Sequence, residues 1–214
     1  MTQMTVKELF CDTFRREFTR CDITRLINWL EQTDFFIAPA SRNNHCGCRG
    51  GLAFHSLCVY YLMCERHKPS EKERGSFAIC ALLHDLCKAA FYVETTRNVK
   101  NEQTGQWEKV PFYKIEDQFP MGHGEKSLWL IERFIKLTAD EAMAVRWHMG
   151  GFDDAVKGGS FSLSQAYVKY PLALKLHLSD MESSYLIEHY EDLAFDNFNA
   201  RFGDELGLTL IDGY

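Results

Sequence analysis

Ala81-Leu82-Leu83-His84-Asp85-Leu86-Cys87-Lys88 is an apolar run that ends in an adjacent histidine and aspartate. The apolar side chains predict the C-terminal half of a buried helix. An imidazole and a carboxylate left there without partners would cost several kcal/mol. A metal ion removes that cost. His84 can give one nitrogen to one ion, and Asp85 can use its two oxygens to bridge that ion and a second. Lys88 follows one turn later, on the face of His84 and Asp85, so its ammonium can lie beside them.

Upstream, Pro69-Ser70 restart the chain, and Ser70 with Glu73 makes a capping box at the head of this helix. Before it, Phe54, Leu57, Cys58, Tyr61, Leu62 and Cys64 predict a helix from Leu52 to about Arg66, with His55 near its start. Pro39 to Gly51 is a loop crowded with Asn, Ser and Gly. Its His45-Cys46-Gly47-Cys48 has no second paired cluster of the kind structural zinc uses, so it reads as a loop with two ordinary thiols. Further back, Val6, Leu9, Phe10, Phe14 and Phe18 predict an amphipathic helix over 4–20. A second helix is expected from an Asp22 N-cap to about Thr33, with Leu26, Ile27, Trp29 and Leu30 inward.

Downstream, the periodicity changes. Phe91-Tyr92-Val93 and Val110-Pro111-Phe112-Tyr113 flank a polar turn at Asn101–Gly105, which predicts a β-hairpin over about 91–114, either a surface elaboration or a lid. Gly122-His123-Gly124 opens a helix with Leu128, Leu130, Ile131, Phe134 and Ile135 on its core side. Thr138 and Glu141 cap a short helix that ends at Trp147-His148-Met149, before Gly150-Gly151. A helix from about Ser164 must split at Pro171. Leu172, Leu174, Leu176 and Leu178 then lead into Ser179-Asp180-Met181, and one more short helix is expected around 195–202. The fold class is all-α, a helical bundle with a small β-hairpin insertion. We expect a single domain, with N-terminal helices over 1–38, a core over 50–190 and a tail over 191–214.

With 24 basic and 30 acidic residues the net charge is −6, and no basic block is present, which disfavours nucleic acid as a bulk partner. No leader-type apolar core and no run of membrane-spanning length stand in the chain, so we expect a cytoplasmic protein with no membrane partner. Several of the eight cysteines fall on apolar helix faces, where a free thiol behaves as a small hydrophobe, and we read them as reduced. Oligomeric state is not readable.

His55, His84-Asp85, His123, His148 and Asp180 each fall on a separate predicted helix. A helical core has little reason to collect four imidazoles and two carboxylates unless something binds them. The set makes sense as a centre for two divalent transition-metal ions. His55, His84 and Asp180 hold one ion, His123 and His148 the other, and Asp85 bridges. Imidazoles favour iron, manganese, zinc or nickel over calcium or magnesium. The two aspartates cancel only half the ionic charge, so with Lys88 the site suits an anion. A bridging water there can be deprotonated near neutral pH. Arg97, on the hairpin, is a candidate substrate contact. Trp147, beside a ligand, reads as packing.

The ordered pattern His…His-Asp…His…His…Asp, over roughly residues 50–182, resembles the HD-domain superfamily of metal-dependent phosphohydrolases and is similar to its dinuclear branch, which includes HD-GYP phosphodiesterases. Cys87 stands where that group's H-D-x-G-K motif has glycine, Lys88 is kept, and the Gly-Tyr-Pro signature is absent. The likeness is therefore to small stand-alone bacterial or phage members. The resemblance implies an HD-domain helical bundle and a hydrolase cleaving a phosphoester of a nucleotide or cyclic nucleotide. On that reading a hydroxide held by the ions would attack phosphorus in line, with Asp85 and Lys88 in catalytic roles and Lys88 on the substrate, joined by Arg97 from its place on the hairpin. A second branch with the same ligands resembles inositol oxygenase and uses a mixed-valent di-iron pair. A nucleotide-binding sensor is the third reading. Hydrolysis is favoured as the commoner chemistry.

Overall fold

The computed structural model describes residues 2–42, 45–188 and 194–211. It is mostly helical, with one antiparallel hairpin, and no described helix is long and apolar enough to cross a membrane. The chain opens not in a helix but in a strand, β1 (Thr2–Thr5). Helix α1 (Val6–Glu17) starts only at Val6, because Thr5 and Glu8 form a capping box across that point, and it stops before Phe18. The expected span of 4–20 is corrected at both ends. Helix α2 (Thr24–Gln32) corrects the second start. Asp22 accepts from the backbone and hydroxyl of Thr24, closing a turn one residue too early to cap, and Ile23 takes the cap position.

Helix α3 (Gly51–His67) is buried along almost its whole length, from Gly51 to Met63, and is the centre of the core. Helix α4 (Glu71–Leu83) carries the expected Ser70–Glu73 capping box and packs against α3. It ends earlier than its apolar run. His84 is the C-cap, and Leu86–Lys88 form a single 3-10 turn. The reason is local. The amides of Lys88 and Ala89 bond three residues back, to Asp85 and Leu86, while the Cys87 amide is taken by Ser127 Oγ at 3.0 Å. His84 and Asp85 thus stand at a break between two kinds of helix.

Strands β2 (Tyr92–Lys100) and β3 (Trp107–Ile115) pair in register from Tyr92 opposite Ile115 to Lys100 opposite Trp107, close to the expected hairpin. Most of it is exposed. Helices α5 (His123–Glu132), α6 (Ala139–Trp147), the single turn α7 (Asp154–Lys157), α8 (Ser162–Lys169) and α9 (Pro171–Glu182) follow, with Pro171 in the first turn as expected. The leucines of α9 do not all face the core. Leu176 is fully buried, but Leu174 and Leu178 are exposed, since residues two apart cannot share one helix face. A π-helical turn, Ser183–Ile187, continues α9.

The last expected helix divides into α10 (Ala194–Phe198) and a π-turn, Asn199–Gly203, followed by α11 (Asp204–Leu206). Strand β4 (Leu208–Ile211) pairs parallel with β1, Thr2 opposite Leu208, and buries Leu208 and Leu210. This second small sheet is an addition to the expected fold class. The expected boundary between core and tail at 190–191 lies outside the described residues.

Candidate metal centre

His55 lies in the first turns of α3, His84 caps α4 with Asp85 after it, His123 begins α5, His148 caps α6, and Asp180 lies on α9. The helix packing brings all six together. His55 Nε2 is 3.1 Å from His84 Nε2 and 3.2 Å from Asp180 Oδ1. The two oxygens of Asp85 divide between the histidines. Oδ1 is 2.6 Å from His123 Nε2 and 3.5 Å from His148 Nε2. Oδ2 is 3.6 Å from His84 Nε2 and 3.7 Å from His55 Nε2.

The outer faces of the rings fix what the inner faces can do. His84 Nδ1–H donates to the Ala81 carbonyl at 2.8 Å, and His148 Nδ1–H donates to the Val145 carbonyl at 2.7 Å. With Nδ1 donating outward, each ring therefore turns its Nε2 toward the cluster. Burial holds His84 in the neutral form, pushing its pKa down to about 3. His148 Nε2 is fully buried and has no hydrogen-bond partner among the described residues. It faces Asp85 Oδ1 at 3.5 Å, an arrangement that a cation between them, a metal ion or a proton, would stabilise. On the other side the cation is a proton. Burial opposes charge on His55, but Glu188 and Asp180 outweigh it and raise its pKa to about 10. The donor set fits a transition metal. His55-His84-Asp85, His84-His148-Asp180 and Asp85-His123-His148 each place three ligand atoms within 4.8 Å of one another, so the cluster could hold metal ions.

Lys88 reaches the cluster itself, with Nζ 2.5 Å from Asp85 Oδ2. Burial disfavours its charge, but the Asp85 carboxylate holds its pKa above the usual lysine value. Asp85, buried beside Lys88 and the imidazoles, is held well below the carboxylate range. The cluster opens into a cavity of about 700 Å³ whose wall includes Arg42, Lys88, Phe91, Tyr92, His177 and Tyr185. Arg97 does not line it. Its guanidinium lies 4.9 Å over the Phe112 ring on the exposed hairpin, while Arg42, over the same ring, does line the cavity. Trp147 is buried under the Arg146 guanidinium.

Three residues here lie outside the expected ligand set, and neither Glu188 nor His177 carries a sequence signal of its own. Glu188 bonds to His55 Nδ1. His45 lies against the His55 ring, with centroids 4.9 Å apart. His177 donates from Nδ1 to the His148 carbonyl at 2.7 Å.

The approach of α5 to α6, which sets His123 beside His148, depends on Gly124. A Cβ there would collide with the backbone carbonyl of Arg146, which no side-chain rotation relieves. Gly124→Ala should destabilise the fold by about 1–3 kcal/mol, the usual cost of overpacking. It should also weaken metal binding, because His123 and His148 move apart. Thermal unfolding and metal titration check this, and unchanged values for both would show that the contact yields freely.

No family model, curated protein or solved structure matches this chain.

Proposed function

We propose that the chain is a metal-dependent phosphohydrolase with an HD-type ligand set, acting on a phosphoester of a nucleotide or cyclic nucleotide. The observation that carries this reading is the buried His148 Nε2, without a hydrogen-bond partner among the described residues, within a six-residue His/Asp cluster that opens on a cavity lined in part by Arg42 and Lys88. His55, His84 and Asp180 would hold one ion and His123 and His148 a second. Asp85 would bridge, since each of its oxygens already faces one pair of histidines. Bound ions would supply Lewis acidity and lower the pKa of water enough to give a nucleophile at neutral pH.

The chain's own residues do the rest. The carbonyls of Ala81 and Val145 hold His84 and His148 in the ligand tautomer. Lys88 and Arg42 place positive charge on the cavity wall, where it can neutralise phosphoryl oxygens, the main source of catalysis in phosphoryl transfer. Phe91 and Tyr92 offer apolar rings beside that charge, suited to a nucleobase.

Metal analysis of anaerobically purified protein, followed by a phosphoester panel with each metal restored, tests the reading. Turnover with manganese supports it. Substrate-dependent oxygen uptake seen only with iron would move the chain to the oxygenase branch, and nucleotide binding without turnover by the fully loaded protein would make it a sensor.

The hairpin enters this reading through its base. Phe91, Tyr92 and Ile115 line the cavity, whereas the strands beyond are exposed. Replacing residues 93–112 by a short Gly-Ser linker should leave helical content and bound metal unchanged and weaken substrate binding several-fold, by loosening Tyr92 and freeing Arg42 from Phe112. Loss of cooperative unfolding in that variant would instead make the hairpin part of the fold.

A further inference from the structure

Glu188 is a fully buried carboxylate that the proposed chemistry does not use. Its oxygens lie 2.9 and 3.1 Å from His55 Nδ1, and one also accepts the hydroxyl proton of Ser183. Among the described residues its ion pair is with His55, with no lysine or arginine on it. Burying a carboxylate this deeply is costly, and the histidine on α3 is the group it is spent on.

The backbone is bent to make this contact. Glu188 follows Asp180 by eight residues, which in a regular α-helix would leave it about 80° round the axis from Asp180. The intervening Ser183–Ile187 segment is a π-turn, wider than an α-turn, and it takes up that rotation. Asp180 and Glu188 therefore meet the same ring from its two nitrogens, Asp180 at Nε2 and Glu188 at Nδ1. The Glu188 amide closes the turn on the Ser183 carbonyl, and Asn197 Nδ2 ties down the Ile187 carbonyl.

The other imidazoles have weaker partners. His84 and His148 rest on uncharged carbonyls of their own helices, and His123 Nδ1 has the Cys87 thiol at 3.4 Å. A carboxylate on the outer nitrogen locks the ring and makes its inner nitrogen a better electron donor, and loss of such a partner typically costs 10–100-fold in metal affinity. We propose that Glu188 is a positioning residue that makes the two ion positions unequal, so that the ion held by His55, His84 and Asp180 binds first and more tightly. This rests on the metal-centre part of the proposed function and is independent of the phosphoester chemistry.

The test is titration of the metal-free full chain with cobalt(II) alone, followed by visible absorption. The wild type should bind in two steps, and His148→Ala should keep only the tighter one. Glu188→Gln retains a hydrogen-bond acceptor without the charge. It should weaken the tighter step by roughly 10–100-fold, alter its absorption band and leave the weaker step in place. Ser183→Ala, which removes a hydrogen bond from Glu188 but not its charge, should shift the same step a few-fold, and carries the test if Glu188→Gln fails to fold. Equal weakening of both steps, or an unchanged tighter step, would overturn the assignment. A wild type that binds no cobalt would overturn the metal reading and this inference with it, whereas two equal steps would overturn the inference alone.

Discussion

Asp85→Ala is expected to lose most of the bound metal, whereas His123→Ala and His148→Ala should each keep about one ion of the pair. The difference follows from how the donors are shared. Asp85 Oδ1 faces His123 and His148, and Oδ2 faces His55 and His84, so its removal takes a donor from both positions at once. Loss of a direct, bridging ligand should exceed the roughly 10–100-fold in affinity that loss of an outer partner costs. The substitution also leaves the Lys88 ammonium in a largely buried place without its counter-ion. Removing one member of a buried pair costs about 3–5 kcal/mol, so the metal-free variant should melt well below the metal-free wild type. Metal content after dialysis and thermal unfolding of both forms check the two effects. If Asp85→Ala retains two ions at wild-type affinity, Asp85 does not bridge. If either histidine variant does so, the two-ion assignment fails.

The legible parts of the chain were those whose reasons are local. The capping boxes at Ser70 and Thr138, the break at Pro171 and the hairpin turn all lie where short-range chemistry puts them. The histidines and aspartates were conspicuous because each stands near a helix end or on an apolar segment, and as a set they have no other use there. Other features depend on contacts distant in sequence. Glu188 meets His55 across 133 residues, through a π-turn that no residue pattern announces. The pairing of Thr2–Thr5 with Leu208–Ile211 joins segments from opposite ends of the chain, each too short to read as a strand alone. The Asp22 error is of another kind. The residue type is right for a cap, but its side chain serves a turn instead. Lys88 reaches Asp85 as a helical spacing requires, although the backbone between them is a 3-10 turn.

Lys88→Ala should separate two roles proposed for the ammonium at one position. Its Nζ lies 2.5 Å from Asp85 Oδ2, and the same side chain lines the cavity. In the metal-free protein the ammonium helps neutralise a buried carboxylate that also has the His123 Nε2 at 2.6 Å. Its loss should therefore cost about 3 kcal/mol, roughly 6–12 °C in Tm for a domain of this size. With ions bound, they take over the compensation of Asp85, and the difference in Tm should shrink. Activity should respond in the opposite way. On the proposed reading only the metal-loaded protein would turn over substrate, and there the ammonium would be free to meet an anionic group in the cavity. A charge-assisted hydrogen bond to a phosphoryl oxygen contributes about 1.5–3 kcal/mol, a roughly ten- to hundredfold loss in kcat/KM when removed. If the charge acts mainly on the transition state, kcat should fall more than KM rises. A lysine that merely ends a helix would give a stability loss of at most about 1 kcal/mol in both forms and no kinetic effect. Tm with and without metal, metal content and kcat/KM on the one variant distinguish these cases, and an unchanged kcat/KM would remove Lys88 from substrate binding and weaken the case for a phosphoester.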